Sequence, residues 1–301
     1  MVKESSIYQL KRMFPRWEYA ISPEITKVLH ELLLNLDESL FEEFVDGYEK
    51  AGQDWGFNPY SPLVKKMLNT VLENIINFDV SGNDNFVSAL NDLKENRIDR
   101  IVIVSNHLSY GDANILAAAF YKDINDAGLD GCLSVIAGPK VYTDPLRRFS
   151  SMHFNALLIA QSLAVATPEA ALPVREIARA AKKVIEDIKK YVKIFLVFPE
   201  GSRSRDGQMK SFLPGVLRLI DTGDRVSVLP VSTVGGNIML PIGESKLNCA
   251  DVKVRIGVPR RIEDIKMEYS GSSALKQDMM DHLGKMVAAV HPENMRGVYR
   301  K

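Results

Sequence analysis

The sequence predicts an α/β fold: a mostly parallel mixed sheet flanked by helices, with a smaller helical domain at the N-terminus. Three observations carry this. Short β-branched runs alternate with helical segments beyond residue 100, the first third shows helical signals, and 301 residues with 46% apolar content suffice to bury a large core. In chain order, Ser22-Pro23 and Ser61-Pro62 each put a capping hydroxyl before a proline at the first helical position. After the second, Leu63, Met67, Leu68, Val71, Leu72, Ile75 and Ile76 recur at helical spacing. A loop, Ser81-Gly82-Asn83-Asp84, closes this part, so the reading is a helical domain over residues 1–82 and an α/β domain over residues 83–301. Residues 101–104 and 194–198 then read as buried strands, with a helix over 174–191 between them. Residues 226–231 and 252–256 add strands, and a last helix runs over 274–290. Strand, helix, strand repetition places ligand-binding groups at strand ends.

Net charge is zero, 38 Lys plus Arg against 38 Asp plus Glu, but it is unevenly spread. Residues 21–99 hold 15 acids and 6 bases, a local charge of −9, whereas residues 140–210 hold 13 bases and 7 acids, or +6. The basic segment is suited to anions. Six of its bases, Arg179, Lys182, Lys183, Lys189, Lys190 and Lys193, fit the solvated face of a helix whose other side carries Val184, Ile185 and Ile188. No aromatic residues interleave with these bases, so nucleic acid is not an expected partner. Cys132 and Cys249 are far apart and no Cys/His cluster has zinc-ligand spacing, which argues against a disulfide scaffold and a metal site. The first twenty residues include Lys3, Glu4, Lys11, Arg12, Arg16 and Glu18 with no unbroken apolar run. Neither an export signal nor a membrane span is expected, and the expected compartment is a reducing cytoplasm.

Two segments carry chemistry, each directly after a strand. The first, Ser105-Asn106-His107-Leu108-Ser109-Tyr110-Gly111-Asp112, contains His-x4-Asp. A histidine at a strand end can expose its ring while a carboxylate from the next helix start holds one ring nitrogen, which makes a general base and its orienter. The competing reading has His107 bonding the helix start and Asp112 serving as a cap. The second segment, Phe198-Pro199-Glu200-Gly201-Ser202-Arg203-Ser204-Arg205, offers two forked guanidiniums with Ser202, Ser204 and a flexible Gly201, a donor set for a phosphate monoester, and Lys210 adds a third charge. Read by itself it is also a polar turn. Glu200 beside the arginines suggests a carboxylate that orients an arginine or a substrate hydroxyl. Lys140 and Arg147-Arg148 are further cations that could meet a phosphate.

Together, Asn106-His107-x4-Asp112 and Phe198-Pro199-Glu200-Gly201-Ser202-Arg203-Ser204 resemble the glycerolipid acyltransferase family, which includes glycerol-3-phosphate and 1-acylglycerol-3-phosphate acyltransferases. Val228-Leu229-Pro230-Val231 looks like the family's later hydrophobic-proline motif, so the resemblance spans residues 101–231. It implies that His107 is the base, Asp112 its partner, and the arginine-bearing segment the site of the acceptor phosphate. The stretch Ala137-Gly138-Pro139-Lys140-Val141-Tyr142-Thr143-Asp144-Pro145-Leu146 and the helical region before the histidine motif are similar to the soluble plastid-type glycerol-3-phosphate acyltransferases. The chain departs from them at Ala160-Gln161-Ser162-Leu163, where a basic cluster is expected, and at Glu200.

The expected activity is acyl transfer from a thioester, on acyl carrier protein or coenzyme A, to the sn-1 hydroxyl of glycerol-3-phosphate, with no cofactor beyond the donor. The alternatives are 1-acylglycerol-3-phosphate as acceptor, a non-catalytic lipid or carrier-protein binding module, and an acyl-thioester hydrolase. Ser109 as a nucleophile is disfavoured because no Gly-x-Ser-x-Gly elbow surrounds it. A lipid product implies peripheral contact with a membrane surface, at the inner face of the membrane or in a plastid stroma. Phe149, Met152, Phe154, Leu157 and Leu158 are candidates for an apolar groove, with the core as the competing place for them.

Overall fold

A computed structural model describes residues 57–138, 141, 145–158, 174–223, 225–244 and 247–300. Elements are numbered here among those residues. A β-strand run gives β1 (Phe57–Asn58), β2 (Ile76–Ser81), β3 (Arg100–Ser105), β4 (Leu133–Ala137), β5 (Asn155–Leu158), β6 (Ile194–Val197), β7 (Val226–Val234), β8 (Ala250–Ile256) and β9 (Arg260–Arg261). The helices are α1 (Pro62–Ile75), α2 (Asn83–Lys94), α3 (Asp112–Asp126), α4 (Pro145–Ser151), α5 (Val174–Tyr191), α6 (Leu217–Ile220), α7 (Gly236–Met239), α8 (Ile262–Glu268) and α9 (Leu275–Ala289).

All nine strands form one sheet in the order β1-β5-β4-β6-β3-β7-β8-β2, with β9 on β7. The central pairs β4–β6, β6–β3 and β3–β7 are parallel, as are β4–β5 and β2–β8, while β1–β5, β7–β8 and β7–β9 are antiparallel. The mostly parallel mixed sheet flanked by helices is therefore what the chain adopts.

Period-two alternation in β3 divides the core. Ile101 and Ile103 face a layer that includes Val64, Val71, Phe86, Leu90, Ile115 and Phe120 from α1, α2 and α3. Val102 and Val104 face a second layer with Val184 and Ile188 of α5, Ile262 and Ile265 of α8, and Met279, Leu283 and Val287 of α9. Covered on both faces, β3 and β6 are buried along their whole length, which is why they read as unbroken apolar runs. On α5, Arg179, Lys182, Lys183, Lys189 and Lys190 are exposed, as is Lys193 just beyond it, while Val184 and Ile188 are buried. The solvated-face reading of that basic cluster is the one the fold adopts.

The domain boundary at residue 82 is not where the packing divides. Helix α1 ends at Ile75 and Ile76 opens β2 with no intervening loop. Strand β2 pairs in parallel with β8, so the residues from 57 to 81 belong to the sheet and core expected only after residue 83. Continuing the helical stripe through Ile76 missed the alternation Ile76-Asn77-Phe78-Asp79-Val80, a half-buried edge strand. Gly82 completes the β2–α2 turn with φ +83°, and a Cβ there would lie 2.1 Å from the Ile256 carbonyl oxygen. The helix expected at Ser22-Pro23 lies outside the described residues.

Candidate active site

The two motifs meet at the C-terminal ends of the adjacent parallel strands β3 and β6. Asn106, buried just past β3, continues the sheet with its side chain: its Nδ2 donates to the Thr233 carbonyl and its Oδ1 accepts from Thr233 N–H, both at 2.9 Å. This two-point bond to β7 fixes where the chain leaves the sheet, and His107 is the first residue beyond it.

The His107 ring is about one-fifth exposed and stacks on Phe198 at 4.4 Å between centroids, so the residue that follows β6 supplies its apolar wall. Its Nδ1 lies 2.9 Å from Asp112 Oδ2, an oxygen that also accepts Leu108 N–H at 2.6 Å and Ser109 N–H at 2.8 Å. Asp112 is fully buried and is the first residue of α3, yet it makes no helix-capping bond, because its carboxylate turns back into the loop. With Nδ1–H given to the carboxylate, the Nε2 lone pair is the one left to accept a proton. The second carboxylate oxygen, Oδ1, is buried without a hydrogen-bond partner among the described residues, and a Cβ on Gly236 would lie 2.3 Å from it. The glycine that opens α7 thus makes the space the carboxylate occupies. Ser109 is buried and its hydroxyl accepts Gly111 N–H at 2.9 Å, a structural role.

Glu200 is buried at the other motif, with both carboxylate oxygens on backbone donors. Its Oε1 accepts His107 N–H at 3.0 Å and its Oε2 accepts Lys210 N–H at 3.2 Å, so it ties the histidine segment to the loop after β6. Ser204 N–H adds a bond to the His107 carbonyl at 2.7 Å. Burial pushes the Glu200 carboxyl up to about 7, against the pull of the two N–H donors and of Lys210. The expectation was a carboxylate orienting an arginine or a substrate hydroxyl; what its two oxygens hold here is backbone N–H of the two motif segments.

Lys210 also departs from expectation. Its Nζ donates to the Ser202 carbonyl at 2.6 Å, the Ser202 hydroxyl at 2.7 Å and the Arg203 carbonyl at 2.9 Å. An ammonium has three donors, and all three are spent on the loop, so Lys210 shapes the phosphate-binding candidate rather than reaching outward. Ser202 is correspondingly held by Lys210, and Gly201 turns the chain at φ +67°. Arg205 is exposed. Lys140 lies outside the described residues.

Arg203 reaches the histidine segment. Its guanidinium carbon sits 3.4 Å from the centroid of the Tyr110 ring, and Arg147 of α4 sits 3.6 Å from the same centroid. Neither Tyr110 nor its partnership with Arg147, 37 positions on, was legible from spacing. Of the apolar groove candidates, Met152, Phe154 and Leu157 are buried in the core, while the side chains of Phe149 and Leu158 lie outside the described residues. Among the described residues no group of three or more His, Cys, Asp or Glu could hold a metal ion, and no helix is long and apolar enough to cross a membrane.

An imidazole–carboxylate pair and an arginine loop thus stand together at the ends of two parallel strands. The acyltransferase family matches residues 77–234, more than half of the chain, and the chain belongs to that family. Two chloroplastic proteins named 1-acyl-sn-glycerol-3-phosphate acyltransferase, from Brassica napus and Arabidopsis thaliana, are each 39% identical to it over 80 residues, which is 26% of this chain and 22% of theirs. The crystal structure of the 1-acyl-sn-glycerophosphate acyltransferase PlsC from Thermotoga maritima aligns with 96% of this chain and 97% of its own at 22% identity and a TM-score of 0.46. The membership is that of a glycerolipid acyltransferase family, as the sequence motifs implied.

Proposed function

We propose that the chain transfers an acyl group from a thioester to a hydroxyl of a glycerol phosphate. The observation that carries this is the bonding of the His107–Asp112 pair and the Arg203 loop into one unit through Glu200, Ser204 and Tyr110. His107 Nε2 accepts the proton of the acceptor hydroxyl as its oxygen attacks the thioester carbonyl. The new C–O bond gives a tetrahedral oxyanion, whose collapse breaks the C–S bond. The departing thiolate takes the proton back from the imidazolium, leaving ester and thiol with no covalent intermediate on the protein. Asp112 holds the tautomer and the orientation of the ring. Arg203 grips the phosphate so that the hydroxyl meets the carbonyl, and positioning of this kind supplies up to about 7–11 kcal/mol.

Both plant relatives are named for a monoacylated acceptor, which favours 1-acylglycerol-3-phosphate over the glycerol-3-phosphate expected from the segment around Lys140. The donor we propose is a coenzyme A or acyl carrier protein thioester, with no further cofactor, and the setting we propose is the face of a membrane. The test is product identification with labelled acyl donor and both acceptors in parallel. We expect a diacyl product from the monoacyl acceptor at the higher kcat/KM. Faster acylation of glycerol-3-phosphate would reverse the acceptor assignment, and no ester from either would end the proposal.

A further inference from the structure

The loop after β6 is fastened by residues that follow α9, where the chain makes two short 3-10 turns, Glu293–Met295 and Gly297–Tyr299. Met209 N–H donates to the Met295 carbonyl at 3.0 Å and the Met209 carbonyl accepts Val298 N–H at 3.3 Å, so both backbone groups of this buried residue are held from outside its loop. Gln208 adds two bonds: its Nε2 donates to the Asn294 carbonyl at 3.1 Å and its Oε1 accepts Gly297 N–H at 3.2 Å. The Tyr299 hydroxyl accepts Phe212 N–H at 2.9 Å, and its ring meets Phe212 edge-on at 5.6 Å between centroids. Two glycines permit this closeness. A Cβ on Gly284 of α9 would lie 2.1 Å from Tyr299 Cζ, and one on Gly297, where φ is +53°, would lie 2.0 Å from the Met209 carbonyl oxygen. Buried His291, just before the first turn, brings its Nδ1 to 2.7 Å from Ser232 Oγ, which anchors the segment to β7.

Among the described residues, the hydrogen bonds that Gln208, Met209 and Phe212 make outside their own loop all go to this segment. From there a path leads to the base. Met209 is fixed at both backbone groups, the next residue's N–H donates to Glu200 Oε2, and Glu200 Oε1 accepts His107 N–H. Ser204 N–H from the same loop holds the His107 carbonyl. The backbone of His107 is thus supported on both sides by a loop whose own position is set by residues 294–299.

We infer that residues 294–299 position the general base, holding Met209 and, through Lys210 N–H and Glu200, the His107 backbone. Gln208 and Tyr299 are positioning residues that act through Glu200. The inference rests on the proposed function for what His107 does; the fastening of its backbone does not. A shift of about 1 Å in a reacting group, caused far from the chemistry, can cost about 10²-fold in rate.

The test combines steady-state kinetics with amide hydrogen exchange on the full chain, using Gln208→Ala, Tyr299→Phe and the two together. Tyr269→Phe is the control: it removes a hydroxyl 3.1 Å from His282 Nδ1 elsewhere in the same core layer. In the double variant kcat should fall about tenfold or more, with donor and acceptor KM within about threefold, and each single variant should fall less. Exchange over residues 106–112 should speed up about tenfold, together with residues 207–213. Tyr269→Phe should keep the wild-type kcat and the wild-type exchange over 106–112. If the double variant does not fold, the single variants carry the same signs. A kcat within twofold of wild type in the folded variants overturns the inference, as does a control that loses as much rate. Faster exchange over 207–213 with none over 106–112 also overturns it, because the fastening then stops at the loop. If the variants free residues 106–112 but wild type forms no ester, the proposed function fails and the positioning stands. If wild type forms ester and the variants match its kcat, the positioning fails and the proposed function stands.

Discussion

His107 leaves the sheet because Asn106 stays in it. The amide of Asn106 makes both bonds a backbone unit would make to β7, and the ring that follows is pinned by a carboxylate with three donors on one oxygen. Glu200 is the residue on which the join between the two motifs depends, since its two oxygens hold the backbone of one segment each. Its pH behaviour follows from burial. A carboxyl raised from 4.5 to about 7 keeps its proton in the folded chain while the unfolded chain has lost it, so its contribution favours folding at low pH and declines as pH rises from about 4.5 to about 7. Buried His153 and His291, both pushed down by burial to about 3 and about 4, act in the opposite sense below pH 6.5. Comparing wild type with Glu200→Gln cancels those histidines. Urea unfolding at pH 5 and pH 7.5 should show wild type more stable than the variant at pH 5 and the gap smaller at pH 7.5. A gap that widens with pH would show that Glu200 is ionised in the fold at pH 5.

At the scale of elements, buried polar side chains lock helices to strands. Arg100 is only 4% exposed at the start of β3, and its guanidinium donates to the carbonyls of Ile188, Lys189 and Val192 and to the Thr222 hydroxyl. These carbonyls end α5, where a cation also meets the negative end of the helix dipole. Arg100→Met keeps much of the volume and strips the donors, so it should destabilise the chain by about 3 kcal/mol, measured as a shift in urea midpoint at constant slope. A loss under about 1 kcal/mol would mean water replaces the guanidinium there. A second lock runs from Asn69 on α1 through His153 to Asn114 on α3, with His153 Nε2 2.8 Å from Asn69 Oδ1 and its Nδ1 3.2 Å from Asn114 Nδ2. Such links explain what sequence reading could and could not find. Strands β3, β6, β7 and β8 and helices α1, α5 and α9 were legible because burial writes itself as apolar runs or a 3.6-residue stripe. Strands β4 and β5 were missed because each is only four or five residues long and includes polar positions, Ser134 and Asn155.

Across the whole molecule the motifs were legible and their mutual arrangement was not. His-x4-Asp and the Arg203 loop announce themselves by residue type at strand ends, and parallel pairing of β3 with β6 brings those ends together. Where each cation of the basic segment ends up is a matter of contacts that spacing does not show. Lys210 turns inward to its own loop, and Arg147 is brought from α4 onto Tyr110. Uneven charge survives folding: the exposed bases of α5 face solvent, while Arg203 and Arg147 lie against the Tyr110 ring of the histidine segment. The central claim is that this one constellation activates an acceptor alcohol. Thiol release from an acyl-coenzyme A donor, followed with and without 1-acylglycerol-3-phosphate in wild type and His107→Ala, tests it most directly. Release should require the acceptor, match the ester formed one for one, and fall by about 10²–10⁴ in a His107→Ala chain that melts like wild type. Release that proceeds equally without acceptor, or that survives the loss of the imidazole, would contradict it.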